Sequence, residues 1–121
     1  MAAVVKGARV RPVTPAGYEY YDKGTATEDI LAGDLVKVGP SGVAKAAVNE
    51  VFPSGIALKP AIAGFLCEFG RDAEMDGFTG LTAGTRLYSS GTVAGGMDTT
   101  AVVGFLPRIE AVSTTRVAFR F

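Results

Sequence analysis

The sequence predicts an all-β fold, a small β-barrel or β-tulip-like sandwich of about eight short strands with an extended N-terminal arm. One observation is a motif that occurs twice, at residues 31–36 and 81–87: Leu precedes Ala-Gly, a polar residue follows, and a short apolar run leads to a Ser-Gly turn. Because glycine adopts backbone angles that other residues resist, each copy is typical of a β-hairpin. A second observation is that glycine accounts for 16 of the 121 residues, so few uninterrupted runs remain for helices.

The N-terminal segment, residues 1–17, differs in composition from the rest of the chain. It contains no carboxylate and has prolines at positions 12 and 15. Two prolines so close together exclude a regular helix and disfavour a central strand, so we expect an extended arm that becomes ordered on a neighbouring molecule. Its cations are Lys6, Arg9 and Arg11. Residues 18–121 are long enough for one hydrophobic core and are expected to form a single β domain.

The first half of this domain contains three groups of predicted strands. Residues 18–22 alternate well enough for an edge strand. Residues 34–38 and 42–48 form a pair around Gly39-Pro40-Ser41-Gly42, which is a strong turn signal. Residues 56–58 and 61–69 are apolar and are interrupted by Pro60 and Gly64, which indicates strands with a corner or a bulge.

The second half begins with the most acidic stretch, residues 70–80, where we expect a loop with one helical turn. The second motif then predicts strands on both sides of Ser90-Gly91, and residues 95–98 are expected to be a loop. Residues 102–109 and 115–121 are the predicted closing strands. In the last strand, alternation places Val117, Phe119 and Phe121 on one face.

Composition limits the classes of partner. Acidic and basic residues are equal in number, so no net field draws the protein to nucleic acid or to an anionic membrane. The mean hydropathy is positive, which suggests that part of the surface is covered by another molecule.

Cys67, the single cysteine, lies in an apolar run and is expected to be a buried, inert thiol. No run is long enough to span a bilayer and no leader is visible, so the protein should stay where it is made.

The sequence offers few groups for catalysis. Histidine is absent, and with it the commonest general base, the Ser-His-Asp and Cys-His arrangements and imidazole metal ligands. Two carboxylate clusters remain, and neighbouring strand residues such as Glu28 and Asp29 point to opposite faces. The other cluster is Asp72, Glu74 and Asp76. We therefore expect a protein that is not an enzyme, with no catalytic residues and no cofactor.

Two binding motifs are also disfavoured. Residues 72–77 place carboxylates at the first, third and fifth positions and glycine at the sixth, as in a calcium loop, but Ala83 stands where the closing glutamate belongs. A solvated acidic loop, with no metal, is the expectation. Phosphate-binding glycine motifs do not occur. The arm lacks base-stacking aromatic residues, so an acidic protein surface suits its three cations at least as well as nucleic acid does, and a solvated tail is the alternative.

Several segments together resemble the head decoration, or cement, proteins of tailed bacteriophages. The resemblance spans roughly residues 30–121 and is carried by loose patterns of Leu, Gly and Thr. They are Leu31-Ala32-Gly33-Asp34-Leu35-Val36, Gly55-Ile56-Ala57-Leu58, Gly80-Leu81-Thr82-Ala83-Gly84-Thr85-Arg86-Leu87-Tyr88, Val103-Gly104-Phe105 and Thr115-Arg116-Val117-Ala118-Phe119. The resemblance implies a small β-barrel or β-tulip domain without enzymatic activity. It also implies attachment as a dimer or trimer to the outside of the expanded capsid.

The expected function is accordingly that of a capsid cement protein, made in the host cytoplasm and located on the virion surface. Its expected partners are the major capsid protein and other copies of itself, with Lys6, Arg9 and Arg11 lying along an acidic capsid surface. Two alternatives stay open. One is another virion β domain, associated with a tail tube or a fibre. The other is a small barrel that carries an apolar ligand, with a cavity lined by aromatic residues. These are Phe65, Phe69, Phe78, Tyr88 and Phe105.

Overall fold

The computed structural model describes residues 3–13 and 18–120, and this part of the chain contains ten β-strands and no helix. All pairs between these strands are antiparallel. The predicted all-β class is thus confirmed. The strands are β1 (Val5–Pro12), β2 (Tyr18–Thr25), β3 (Leu35–Gly39), β4 (Gly42–Lys45), β5 (Gly55–Ala57), β6 (Leu66–Thr79), β7 (Arg86–Ser89), β8 (Met97–Asp98), β9 (Arg108–Ala111) and β10 (Val117–Arg120).

Strand β6 is the central strand of the sheet, because four other strands pair with its 14 residues. β2 pairs with its N-terminal half and β1 with its C-terminal half. β5 and β10 also pair with β6, near residues 69–70 and 73–75 respectively. From β5 the sheet continues to β3 and β4, and from β10 it continues to β9, β7 and β8.

The sheet curls back on itself at both ends. Ala26, which follows β2, forms a bridge with Val43 of β4, and Thr27 donates its N–H to the Val43 carbonyl at 2.9 Å. At the other end Ala3, which precedes β1, forms a bridge with Asp98 of β8, and Val4 donates to the Met97 carbonyl at 3.0 Å. Each half of β6 is therefore enclosed in its own ring of strands, which limits the exposed sheet edges.

Two hydrophobic cores correspond to the two halves of β6. Cys67 and Phe69 point into the first core, whereas Met75 and Phe78 point into the second. Strands β3 and β5 separate the cores and contribute to both, with Ile56 in the second core and its neighbour Ala57 in the first. This position explains why every residue of β5 is buried. A strand covered on both faces has no reason to alternate apolar and polar residues.

The repeated motif forms the turns predicted for it. In the first copy Gly33 has φ of 85°, and Asp34 donates its N–H to the Leu31 carbonyl at 3.1 Å. In the second copy Gly84 has φ of 88°, and Thr85 donates to Thr82 at 3.1 Å. A positive φ at the third turn position is the mark of a type II turn. Three further four-residue segments repeat this geometry, namely residues 62–65, 93–96 and 102–105.

Both predicted hairpins are present, and the second has a longer loop than expected. β3 and β4 pair around residues 39–42 as predicted. β7 pairs with β8 at residues 97–98, so the expected strand at 92–94 is wrong, and the expected loop at 95–98 is correct for residues 95–96 only. The reason is the Ser90 hydroxyl, which accepts the N–H groups of Thr92 and Val93 at 3.1 and 3.0 Å. This local bonding replaces the sheet partners that a strand would need.

The largest error concerns residues 70–80, of which residues 70–79 belong to strand β6 and do not form an acidic loop. Their charged side chains lie on the outer face while Ala73, Met75 and Phe78 are buried. Arg120 of β10 binds two of the carboxylates, at 2.7 Å to Asp72 and 3.3 Å to Glu74. Two predicted strands also begin later than expected, since β6 begins at residue 66 and β9 at residue 108. Turns occupy residues 62–65 and 102–105 in their place.

The predicted arm contains a strand. β1 pairs with β6 from Val5 to Pro12, so this segment belongs to the sheet of its own chain. Five residue steps along β1, from Lys6 to Arg11, are opposite only two steps along β6, so β1 contains a bulge. Pro12 is the last residue of the strand, where a missing N–H does little harm. Residues 14–17 and Phe121 lie outside the described part, so the boundary at residue 17 and the predicted place of Phe121 stay predictions.

Candidate functional site

The three cations predicted to bind a partner do not act as one group. Lys6 forms an ion pair of 2.6 Å with Asp34, whose other carboxylate oxygen accepts the Leu31 N–H at 2.9 Å. Arg11 lies 3.5 Å from Asp76. Arg9 is exposed, and within residues 3–13 and 18–120 no ion pair engages it. Arg9 is therefore the cation of this segment that is best placed to meet a carboxylate of another molecule.

A groove of about 280 Å³ lies beside Arg9. Strand β1 forms one wall with Lys6, Gly7 and Val10, and the first motif turn and Pro60 form the other. Leu31 lines this groove and is mostly exposed, although it is a large aliphatic side chain. An exposed aliphatic residue next to an unpaired cation suits a partner segment with both apolar and acidic side chains.

The two carboxylate clusters are arranged differently. Glu28 accepts the backbone N–H of Lys45 at 3.1 Å, and Asp29 accepts that of Ala63 at 3.0 Å. The two neighbouring carboxylates therefore bind different parts of the chain. Asp72 and Glu74 bind Arg120, as described above. No group of three or more potential metal ligands occurs among the residues that the structure describes.

The pKa of Asp76 lies below its usual value, first because the Thr115 side chain hydrogen-bonds its carboxylate. The Gly77 N–H and then the charges of Arg11 and Arg116 act in the same direction. These contacts favour the ionised form, which does not suit a general acid or base near neutral pH. Burial raises the pKa of the Cys67 thiol, with smaller contributions from Asp34 and Glu68. Cys67 is fully buried, as predicted, and a buried, protonated thiol is a poor nucleophile.

The five aromatic residues considered for a ligand cavity do not line a common space. Phe69 belongs to the first core, whereas Phe78 and Phe105 belong to the second, against which Tyr88 packs. Phe105 packs edge-on against Tyr88 with a centroid distance of 5.5 Å. Phe65 is exposed at the turn before β6. These rings fill cores or face solvent, and nothing in their placement resembles a binding cavity.

Sequence reasoning missed a group of exposed aliphatic residues on the loops between the strands. Val103 is the most exposed of them, with 95% of its surface accessible to solvent, and Leu106 is 67% exposed. Both lie in a segment, residues 102–109, that was expected to be a closing strand. The signal that could have revealed them is Val103-Gly104, which occupies the same turn positions as Ala-Gly in the repeated motif.

No family model, no curated protein and no solved structure matches this chain. No helix in the described ranges is long and apolar enough to cross a membrane.

Proposed function

We propose that this protein is a head decoration protein of a tailed bacteriophage. It binds the outside of the expanded capsid and bridges neighbouring major capsid subunits, so that internal DNA pressure has to break extra interface before the shell can open. The sequence resemblance over residues 30–121 supports this proposal. The structural observation that carries it is the set of large aliphatic and aromatic side chains that this small β domain exposes at its turns.

These exposed residues lie mostly in turns that the backbone holds rigid. Ile62 and Phe65 begin and end a type II turn, with the Phe65 N–H bonded to the Ile62 carbonyl at 2.9 Å. The turn is tied to the rest of the fold, because Gly64 donates to the Ala26 carbonyl at 2.8 Å. Apolar side chains on rigid loops lose little entropy when a partner covers them, which favours adhesion.

The groove beside Arg9 is the proposed contact with the major capsid protein. There Arg9 supplies a positive charge, and Leu31 supplies an apolar contact. An acidic and apolar segment of the shell would satisfy both. The earlier expectation that all three cations lie along the shell is narrowed to Arg9, since Lys6 and Arg11 have partners in their own chain.

Sedimentation with expanded capsids of the source phage tests this assignment. We expect saturable binding of the unmodified protein and at least tenfold weaker binding of Arg9→Glu, because the substitution places a carboxylate against an acidic segment. Lys23→Glu is the charge-reversal control, since Lys23 is an exposed cation on β2 of the other ring and no ion pair engages it among the described residues. Equal binding by Arg9→Glu would remove the groove from the contact, and no binding of the unmodified protein would refute the function itself.

The tail-tube alternative predicts a different behaviour of the pure protein. A tube subunit assembles into open-ended polymers by itself, whereas a decoration protein stays a small oligomer. Light scattering of the purified protein distinguishes the two, and growth of polymers without limit would favour the tube.

A further inference from the structure

Three loops on one side of the molecule are joined into a single surface by hydrogen bonds. They are residues 46–52, 90–96 and 101–107, which we call the three-loop surface. The first and second loops are joined where Asn49 donates to the Ser90 carbonyl at 2.9 Å and Gly95 donates to the Ala46 carbonyl at 2.7 Å. The third loop joins the first where Leu106 donates to the Val51 carbonyl at 2.9 Å. The Ser89 hydroxyl adds a bond of 2.6 Å to the Glu50 carbonyl.

This surface presents aliphatic side chains to solvent. Its exposed members are Val48, Val51, Val93, Val103 and Leu106. Phe105 anchors the third loop, because it is buried against Tyr88 between the two most exposed residues, Val103 and Leu106. The loop is also closed by the Phe105 N–H, which donates to the Val102 carbonyl at 3.2 Å. Its exposed side chains are thus presented in a fixed arrangement.

The three-loop surface contains few charged groups, although Lys37 of β3 reaches it, where its Nζ donates to the Phe52 carbonyl at 2.7 Å. Glu50 is the one ionisable residue in these three segments, and its carboxylate accepts the Phe52 N–H at 3.2 Å. Elsewhere the outer faces are rich in ion pairs, such as the Arg120 pairs with Asp72 and Glu74. Depletion of charge together with exposed aliphatic residues is the composition of an interface core, and it is most pronounced in homo-oligomers.

We infer that the three-loop surface is the contact between copies of this chain. A partner that covers it must itself be free of charge there, because a charged side chain buried against valine and leucine would have no counter-ion. The three-loop surface of a second copy meets this requirement. A rotation axis that passes beside the third loop brings such surfaces together, in a dimer or in a ring. The inference does not depend on the capsid proposal, since it concerns the purified protein alone.

Analytical ultracentrifugation and native mass spectrometry over the micromolar range test the inference. We expect the unmodified protein to be a small oligomer and the Val103→Glu, Leu106→Glu double variant to associate roughly a hundredfold more weakly. Ile62→Glu is the control, because Ile62 is 66% exposed and also lies in a type II turn, but precedes β6 at the other ring. The control should leave the oligomer unchanged.

A cysteine variant covers the case in which two added glutamates prevent folding. Cys67 is fully buried, so Val103→Cys supplies an accessible thiol at the proposed contact. A short bifunctional maleimide should join copies of Val103→Cys in dilute solution and should not join copies of Ile62→Cys. A monomeric unmodified protein, an assembled glutamate variant, or equal crosslinking at both positions would each overturn the inference. Self-association without capsid binding would leave the inference standing and would refute the proposed function.

Discussion

Replacing Gly77 with alanine tests how firmly the N-terminal strand is built into the fold. The bulge of β1 wraps around Gly77, whose φ of 102° lies in the region that favours glycine. A Cβ at this position would lie 1.9 Å from the Arg9 carbonyl oxygen and 2.7 Å from the Val10 Cα. Alanine at position 77 therefore meets two separate penalties, one from its own backbone angle and one from the backbone of β1.

Two other glycines separate these penalties. Gly84 has φ of 88° and open space where a Cβ would stand, so Gly84→Ala carries the angular penalty alone. That penalty is about 1–2 kcal/mol, and lower freedom of the unfolded chain offsets about 0.4–1 kcal/mol of it. Gly7 has no positive φ, but its Cβ would lie 2.5 Å from the Gly77 carbonyl oxygen. Gly7→Ala therefore carries only the packing penalty, about 1–3 kcal/mol, reduced by the same unfolded-chain offset.

We expect Gly77→Ala to lower the free energy of unfolding by about 3 kcal/mol, Gly7→Ala by about 1–2 kcal/mol and Gly84→Ala by about 1 kcal/mol. Urea titrations followed by circular dichroism measure these values directly. Hydrogen exchange should show that the amides of β1 lose protection in the first two variants only. Equal losses for Gly77→Ala and Gly84→Ala, with no loss for Gly7→Ala, would refute the packing of β1 on β6.

Two further predictions concern carboxylates. Asp34→Ala leaves the Leu31 N–H and the Lys6 ammonium without their acceptor, so the free energy of unfolding should fall by about 2–3 kcal/mol. Lys6→Met removes only one of these contacts and should lower it by about 1 kcal/mol. Equal losses of unfolding free energy for the two variants in urea titrations would contradict this ranking. The pKa of Asp76 is lowered in the folded state, mainly by Thr115, so its contribution to stability is present above the pKa of the unfolded chain and is lost as the pH falls through the folded-state pKa. When the pH falls below about 4, the free energy of unfolding should therefore decrease less in Asp76→Asn than in the unmodified protein. Parallel curves of unfolding free energy against pH for the two proteins would show that Asp76 is not coupled to folding.

The turns were the most predictable part of this fold. Gly33 and Gly84 occupy positions where a positive φ is needed, and a short-range signal of this kind is visible in the sequence itself. The β3–β4 hairpin was predictable for the same reason, because Gly39-Pro40-Ser41-Gly42 specifies its own turn.

Residues 70–79 of strand β6 could not be predicted as a strand, because the contacts that stabilise them are not local. The polar residues Asp72, Glu74 and Asp76 give residues 70–80 the composition of a loop, and only the neighbouring strands supply the hydrogen bonds and the arginines that stabilise a strand. The buried residues Ala73 and Met75 do alternate with them, but a short alternation is a weak signal beside three carboxylates.

The candidate surfaces were only partly predictable. The sequence indicated the positive charge of Lys6, Arg9 and Arg11, but not that Asp34 and Asp76 bind two of them, because those partners are 28 or more positions away along the chain. The exposure of Val103 and Leu106 was not predicted, because the turn at residues 102–105 was not recognised in the sequence. An apolar run predicts a buried strand unless a turn is recognised within it.

Binding to capsids in two states tests the central claim most directly. Purified protein is mixed with expanded capsids and with unexpanded precursors of the source phage, and the bound fraction is measured by sedimentation over a range of protein concentrations. A protein that bridges neighbouring subunits at their expanded spacing should bind the expanded capsid with a fixed number of copies per shell and should leave the precursor bare. Binding to neither particle, or unsaturable binding to both, would contradict the proposal that this protein is a capsid cement.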